Sequence, residues 1–430
     1  MTARVERSRK VKHRLGNHFI IFTLAIALVF LFPLAARAED KDKQPINKME
    51  TNGNGGKTDV GTWFMTYNNH SMWANNFGSG FAINYRALVA PDTYDVPESD
   101  EPDQIDFWLS MLAEAKVDFI VYDLTNGGLT EEVPYGWGET EDKGNRWIVK
   151  NAQLTSQRIA EWNKTHDWKL RYAVAVGTYA ALNAGKPDGM SAELQAEGVY
   201  HLFYENEEYG GENYYQIEGK PLLLLHDWGE NDLEKWENYS GDKTYSEKFS
   251  VRASQAGELG TYGWQTKYGV VPQEEVELIC PGFATAGSKP SIPRENGAYY
   301  KRSWETLLSN PMPRIVMISA FNDFNEHLAV MPALSDKCND KQEEQWRDET
   351  GELNPTMYWD MTVEGIRQIR IINGEMEPDP AAPSKSGNEG INWMIVIPVM
   401  ATCVIVLAVI VSMIVVVIRM KHPGKKDDKK

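Results

Sequence analysis

The sequence predicts an α/β ectodomain, a (β/α)8 TIM barrel, carried between an N-terminal signal peptide and a single C-terminal transmembrane helix. Short apolar or β-branched runs alternate with segments of helical period over residues 58–373, a pattern typical of a parallel sheet covered by helices. A closed barrel and an open doubly wound sheet both fit this alternation. The count of eight runs and the lack of a glycine-rich phosphate loop after the first run favour the barrel.

The two ends of the chain carry the signals of a membrane-anchored protein. Residues 1–38 combine a basic start, an apolar run over 19–34 and a final Ala-Arg-Ala, the pattern of a cleaved signal peptide. Residues 393–418 have no charge and are long enough to cross a bilayer core of ~30 Å, and the basic tail 419–430 follows at once. We expect a single-pass type I protein of the cell membrane with residues 39–392 outside the cytoplasm. An uncleaved first run acting as a second anchor is the alternative.

Two polar segments separate the barrel region from these ends. Residues 39–57 are predicted to be a disordered linker, and residues 374–392, rich in Pro, Gly and Ser, a stalk. The chain has a net charge of -17 although both of its ends are basic, so the extracytoplasmic part is more acidic than this figure. Such a surface repels phosphate backbones, which excludes nucleic acid as an expected partner. The expected partners are an oligo- or polysaccharide and, through the last helix, the lipid bilayer.

The strands and helices of the barrel are predicted from local periodicity. Strands are expected at 60–67, 117–124, 169–176, 220–227, 248–254, 262–265, 275–283 and 314–323, of which the fifth and sixth have the weakest pattern. Helices are expected at 103–116, 153–166, 191–205, 299–309 and 355–372. In the first helix, apolar residues recur at helical spacing at Ile105, Leu109 and Leu112.

Polar and aromatic side chains collect where the predicted strands end. Parallel strands of a barrel all end at one face, where barrel active sites lie. Carboxylates and amides bond sugar hydroxyls, and aromatic rings stack on sugar rings. The expected substrate-binding residues are therefore Tyr67, Asp123, Asn126, His226, Asp227, Trp228, Trp264, Asn322 and Asn325. Each of them, taken alone, equally fits a helix cap or a polar loop.

The eighth predicted strand ends in two carboxylates, Asp323 and Glu326, three residues apart. Both would face one cavity if the chain turns helically there, and two carboxyls in a partly dry pocket have pKa values that are pushed apart. One then serves as an acid and the other as a base, as glycoside cleavage requires. The alternative is a capping box, in which Asp323 caps a short helix and Glu326 is its partner. We expect Asp323 and Glu326 to be the catalytic pair.

The same segment resembles a motif of a known family. The sequence "SAFNDFNEHLAVMP" resembles S-F-N-E-W-x-E-G-T-x-I-E-P of the glycoside hydrolase family 99-like barrels, the endo-α-mannosidase and WbsX-like proteins, which are related to family 71 α-glucanases. Looser matches are "VDFIVYDLTNG", "PLLLLHDW" and "PTMYWDMTVEGIRQI". The sequence departs from the motif at Asp323, which replaces Glu, at Phe324 and His327, which replace Trp and Gly, and at Met331, which replaces the later Glu.

The resemblance implies an activity and a role for each carboxylate. In these enzymes the first motif carboxylate assists the sugar 2-hydroxyl as it attacks its own anomeric carbon, and the second is the acid/base. Carried over, these roles fall on Asp323 and Glu326, and they imply retaining cleavage of an α-linked glycan. The expected function is thus a membrane-anchored glycoside hydrolase acting on a mannan- or glucan-like α-linked glycan. A non-catalytic glycan-binding receptor on the same barrel is the alternative.

The cysteines and histidines leave two further questions. Cys403 lies in the apolar span, so Cys280 and Cys338 are the only pair available to the ectodomain, either as a disulfide or as two buried thiols. We expect the disulfide, which would brace the segment that holds both carboxylates. His226 and His327 lack the paired spacing of metal ligands, so no metal and no cofactor are expected.

Overall fold

The structure of the protein is a computed structural model. It describes residues 56–68, 84–125, 129, 146–177, 190–227, 232–255, 261–263, 273–285, 289–338 and 344–378. The chain divides into two compact units, Met1–Met376 and Glu377–Lys430, and the described residues belong almost entirely to the first. None of the helices in these ranges has the length and apolar character needed to cross a membrane. The predicted signal peptide, residues 1–38, and the predicted span, residues 393–418, lie outside the described residues.

The first unit is built on a curled parallel sheet. Its strands are β1 Asp59–Phe64, β4 Phe119–Leu124, β5 Arg171–Gly177, β7 Lys220–Asp227, β8 Ser250–Gln255, β9 Val276–Ile279 and β10 Ile315–Ile318, with the short antiparallel β6 Gln216–Ile217 beside β7. The spatial order is β8, β7, β5, β4, β1, β10, β9. The last parallel strand therefore returns beside the first, and neighbours in space follow the chain order, as in a barrel-like domain.

The sixth predicted strand, 262–265, is wrong for its described residues, because Tyr262 and Gly263 lie in a bend between β8 and β9. Tyr262 makes three separate hydrogen bonds there and does not pair with a neighbouring strand. Its N–H donates to the carbonyl of Ala253 (3.0 Å), its carbonyl accepts from Trp63 Nε1 (2.8 Å), and its hydroxyl donates to Glu275 (3.2 Å). Tyr262 thus links Ala253 of β8 to Glu275, the residue directly before β9.

Two predicted strands are shorter than expected, and each ends for a local reason. Strand β9 stops at Ile279, and Pro281, two residues on, has no N–H to donate to a neighbouring strand. Strand β10 stops at Ile318, after which the backbone bonds to itself, as in the N–H of Ala320 donating to the carbonyl of Leu328 (2.8 Å). The residues after β10 therefore form a compact loop.

Five helices overlap the predicted positions, although the second begins seven residues earlier than expected, and the short helix Asp232–Glu237 was not predicted. The helices are α1 Pro102–Glu114, α2 Arg146–Thr165, α3 Met190–Val199, which continues as the π-helical turn Tyr200–Tyr204, α4 Asp232–Glu237, α5 Ala298–Ser309 and α6 Met357–Ile372. Proline in the first turn of α1 costs no hydrogen bond, because that N–H would have no helical partner. Helices α5 and α6 approach closely at Gly365, where a Cβ would lie 2.4 Å from the Trp304 ring.

A second, three-stranded sheet was not predicted. Strand β2 Arg86–Ala90 lies between β3 Thr93–Asp95 and β11 Ala333–Leu334, and both pairings are antiparallel. These strands are short, and β11 has only two residues, too few for an alternating pattern to register. The sheet fixes the chain that leaves the loop after β10.

The beginning and the end of the described domain are joined by a clasp, which we define as Lys57, Thr58, Asn373 and Glu375. The N–H of Thr58 donates to Asn373 Oδ1 (3.0 Å), and Asn373 Nδ2 donates back to the Thr58 carbonyl (2.9 Å). Lys57 and Glu375 form an ion pair (3.0 Å). The clasp lies at the amino end of β1, away from the carboxyl ends of the strands.

Candidate active site

The residues predicted to carry chemistry follow strands whose carboxyl ends lie at one edge of the sheet. Tyr67 follows β1, Asp123 is near the end of β4, and His226 is near the end of β7. Asp323 and Glu326 lie in the loop after β10. Because these strands are parallel neighbours, this edge is where side chains from distant parts of the sequence meet.

The loop after β10 is fixed by its own backbone and by β1. The N–H groups of Leu328 and Ala329 both donate to the carbonyl of Asp323 (2.9 and 2.8 Å). Asn322 Oδ1 accepts from the N–H of Met65 (2.7 Å), and Asn322 Nδ2 donates to the Met65 carbonyl (3.0 Å). The fully buried Asn322 side chain thus attaches the loop to the chain after β1. Asn325, by contrast, is partly exposed.

Asp323 is the centre of the hydrogen bonding in the site. Its side chain is 1% exposed, and Oδ1 accepts from the Tyr67 hydroxyl (3.2 Å) and from the N–H of Glu326 (3.1 Å). Donors of this kind stabilise the ionised form of a carboxyl group. Asp323 is therefore a hydrogen-bond acceptor for both Tyr67 and the backbone of Glu326.

The surroundings of Glu326 disfavour its ionised form. Burial raises the pKa of Glu326 well above its ordinary value, and the negative charges of Asp323 and Asp123 raise it further. Burial also raises the pKa of Tyr67, together with Asp323, Asp123 and Glu326. These four side chains therefore lie close together. The site thus places Glu326, whose pKa is raised, beside Asp323, which accepts hydrogen bonds from Tyr67 and from the Glu326 N–H.

Asp123 is oriented by the residue that follows its strand. The N–H and the hydroxyl of Thr125 both donate to Asp123 Oδ1 (3.0 and 2.6 Å). These local bonds leave the carboxylate buried beside Glu326 and Tyr67. Thr125 was missed by the sequence reasoning, although the order Asp-x-Thr is a known pattern of side-chain bonding to the backbone two residues on.

His226 is buried at the end of β7, and its Nδ1 lies 2.6 Å from the carbonyl oxygen of Ser254 on β8. A carbonyl can only accept, so Nδ1 carries the proton in this contact. Asp227 ends β7, and its side chain lies outside the described part of the chain, as do the predicted site residues Asn126, Trp228 and Trp264. Across the described ranges, no group of three or more His, Cys, Asp or Glu side chains could hold a metal ion.

The predicted disulfide between Cys280 and Cys338 is not formed. Both residues are described, and both are buried thiols. Cys280 follows β9, where burial raises the pKa of its thiol to about 12 and the Tyr299 hydroxyl bonds to it. Cys338 ends a turn in which its N–H donates to the carbonyl of Ser335 (3.1 Å). The loop that carries the carboxylates is therefore held by hydrogen bonds and packing, not by a covalent link.

Comparison with known proteins gives matches in fold alone. The sequence matches no protein-family profile and no curated protein. The chain is similar to a solved structure of the GH99 endo-alpha-mannosidase from Bacteroides thetaiotaomicron in complex with BIS-TRIS-Propane, with 13% identity, a TM-score of 0.49, and 74% of this chain and 99% of that chain covered. A second structure of that enzyme gives 12% identity, a TM-score of 0.48, and coverage of 73% and 98%.

Proposed function

We propose that the protein is a glycoside hydrolase that cleaves an α-linked glycan with Glu326 as the acid and Asp323 as the base. The observation that carries the proposal is the close approach of these two carboxyls. Asp323 accepts hydrogen bonds from Tyr67 and from the Glu326 N–H, while burial and two neighbouring carboxylates raise the pKa of Glu326.

The proposed chemistry starts with Glu326 protonated and Asp323 ionised. Glu326 enters the reaction protonated and gives its proton to the glycosidic oxygen as the bond to the anomeric carbon breaks. Asp323 enters ionised and accepts the proton of the sugar's own 2-hydroxyl as that oxygen attacks the anomeric carbon, which gives a 1,2-anhydro sugar. Glu326, now ionised, then accepts a proton from the water that opens this ring at the anomeric carbon, and Asp323 returns its proton to the sugar 2-oxygen, so both carboxyls regain their starting states. General acid and base catalysis of this kind contributes about 10²- to 10⁴-fold to a rate.

The substrate class follows from the charge of the site and from the sequence resemblance. Three carboxyls, those of Asp123, Asp323 and Glu326, act on one pocket, and they disfavour an acidic sugar at this position. A neutral sugar has hydroxyls that carboxylates can bind. Because the motif around Asp323 resembles that of family 99-like enzymes, we propose a mannan- or glucan-like substrate.

The test is hydrolysis of a panel of neutral α-linked oligosaccharides and aryl glycosides by the full chain in detergent. Glu326→Gln and Asp323→Asn are each expected to lower kcat by about 10³-fold, within the range of general acid and base catalysis. Glu364→Gln, an exposed position on α6, is the matched control and is expected to leave kcat unchanged. Cleavage at the wild-type rate by both site variants would refute the assignment. Tight binding of a glycan that is never cleaved would indicate the rival function, a non-catalytic glycan receptor.

We propose further that the protein is anchored in the cell membrane with the catalytic domain outside the cytoplasm. This proposal rests on the sequence of residues 1–38 and of the apolar run 393–418. Protease treatment of intact cells is expected to remove the domain and leave the basic tail protected. Recovery of the chain in the soluble fraction after cell lysis would contradict the proposal.

A further inference from the structure

Arg294 lies behind the loop that carries both carboxylates, and the proposed chemistry does not use it. It directly precedes the 3-10 turn Glu295–Gly297, which leads into α5, and it is 2% exposed. Its Nη2 donates to the carbonyls of His327 and Ala329, each at 2.9 Å. Arg294 therefore holds the loop on both sides of Leu328.

The burial of this guanidinium carries a cost that the surroundings offset in part, since Nη2 is bonded while Nε and Nη1 have no hydrogen-bond partner among the described residues. No carboxylate of the described residues lies within ion-pair distance of it, and a buried charge without such a partner is unfavourable. Instead, the guanidinium carbon lies 4.2 Å from the centre of the Tyr358 ring and 4.9 Å from that of Trp346. Aromatic faces attract a desolvated cation. The charge is thus stabilised by two rings and two carbonyls, and those carbonyls belong to the loop.

The position of Arg294 is itself fixed. Its backbone N–H donates to the Glu344 carboxylate (3.1 Å), and a Cβ at Gly282 would lie 2.7 Å from Arg294 Cγ, so glycine there makes room for the side chain. On the other side of the contact, His327 has a φ of 58°, a conformation that residues with a Cβ rarely adopt. This backbone geometry belongs to the residue whose carbonyl accepts from Arg294, next to Glu326 in the chain.

We propose that Arg294 is a positioning residue that fixes Glu326 relative to Asp323 by holding the carbonyls of His327 and Ala329. The inference rests on the proposed function for its catalytic meaning. The carbonyl of Asp323 already accepts from the N–H groups of Leu328 and Ala329, so the loop is a closed turn. Loss of Arg294 would free the side of this turn that bears Glu326. A misplacement of about 1 Å can lower a catalytic rate by about 10²-fold.

The experiment compares Arg294→Ala, Arg294→Lys and the control Arg302→Ala in the full chain. Arg302 is an exposed arginine on α5. The first readout needs no substrate: carboxyl ¹³C NMR titration of Glu326, with its signal assigned through Glu326→Gln. Arg294→Ala is expected to lower the pKa of Glu326 toward its ordinary value, because the paired carboxyls separate. Arg302→Ala is expected to leave it unchanged.

The second readout is kinetic. Arg294→Ala is expected to lower kcat by about 10²-fold with little change in KM, since the loop geometry and not substrate binding is altered. Guanidinium ion at low millimolar concentration is expected to raise the kcat of Arg294→Ala at least tenfold. A purely structural defect would not respond to the added ion. Arg294→Lys keeps the charge but not the two-carbonyl contact, and an intermediate kcat is expected.

Three results separate the possible failures. A folded Arg294→Ala protein with the wild-type kcat and Glu326 pKa would overturn the proposal for Arg294. If Arg294→Ala does not fold, Arg294→Lys decides by the same two readouts, and wild-type values again overturn it. If the wild-type chain cleaves no glycan, the proposed function fails while the NMR titration still decides the role of Arg294.

Discussion

The two ends of the parallel sheet surround an acidic side chain with neighbours of opposite charge. At the amino end, Asp118 lies 2.6 Å from the guanidinium of Arg370, which is itself buried. Burial raises the pKa of Asp118 to about 6, and Arg370 opposes that rise. At the carboxyl end, burial likewise raises the pKa of Glu326, but the neighbours that act on it are the carboxyls of Asp323 and Asp123, which add to the rise.

The comparison separates a structural acid from a candidate catalytic one. Burial is the largest cause of the pKa shift in both places, so burial alone does not mark a site. The sign of the neighbouring charge is what differs between Asp118 and Glu326. An opposite charge lets Asp118 take part in a structural ion pair, whereas the like charges of Asp323 and Asp123 add to the burial that raises the pKa of Glu326.

The largest expected effect comes from breaking the pair at the amino end. Arg370→Met leaves Asp118 buried without its cation, so we expect the free energy of unfolding to fall by about 3–5 kcal/mol at pH 7. The loss should be smaller at pH 5, where Asp118 can take up a proton. Denaturant unfolding measures both values. Arg367→Met, on the more exposed face of the same helix, is the control, and an equal loss there would contradict the explanation.

Glu277 on β9 is a third buried acid, and burial alone, without a neighbouring cation or carboxylate, accounts for its raised pKa. Its carboxyl oxygens have no hydrogen-bond partner, its side chain is 2% exposed, and burial raises its pKa to about 8. A raised pKa in the folded state means that the folded chain binds more protons than the unfolded chain between about pH 4.5 and 8, so stability falls as pH rises through that window.

Glu277→Gln removes the ionisation and should therefore stabilise the protein at high pH. We expect a gain of up to about 4 kcal/mol at pH 8 and almost none at pH 4, where the wild-type carboxyl is protonated. Thermal or denaturant unfolding across this range measures the difference. A gain that does not depend on pH would mean that packing, not charge, is responsible.

The smallest expected effect is at the carboxyl end, where Asp123→Asn removes one like charge and leaves both proposed catalytic groups in place. The pKa of Glu326 should fall only in part, because Asp123 contributes less to its rise than burial and Asp323. If Glu326 acts as the acid, the alkaline limb of the kcat/KM profile should move to lower pH by the same amount. If the alkaline limb does not move, Glu326 is not the acid.

The sheet could be predicted from the sequence because buried parallel strands are continuous apolar runs. "FIVYDL" and "KPLLLLHD" are of this kind, and β4 and β7 were found close to their true bounds. The same pattern predicts that Asp123 and Glu326 meet at one edge, and they lie close enough there for Asp123 to raise the pKa of Glu326, while their catalytic role stays a prediction. It failed at Tyr262, whose aromatic and small neighbours resemble a strand while its bonds bridge β8 and β9.

Contacts between residues far apart in the chain were beyond local patterns. Nothing in "FND" indicates that the Asn322 amide pairs with the backbone of Met65, 257 residues away. Nothing near Arg294 indicates that its guanidinium meets the carbonyls of His327 and Ala329. The two cysteines suggested a disulfide by elimination, but Cys280 is directed toward Tyr299.

The clasp of Lys57, Thr58, Asn373 and Glu375 makes the domain suitable for circular permutation. Because its first and last residues are hydrogen-bonded to each other, a short linker can join them and new ends can be opened elsewhere. The exposed turn at Gly241 and Asp242 is a suitable place, far along the chain from the loop after β10. A circular permutant opened there keeps the loop with Asp323 and Glu326 in an uninterrupted stretch of chain.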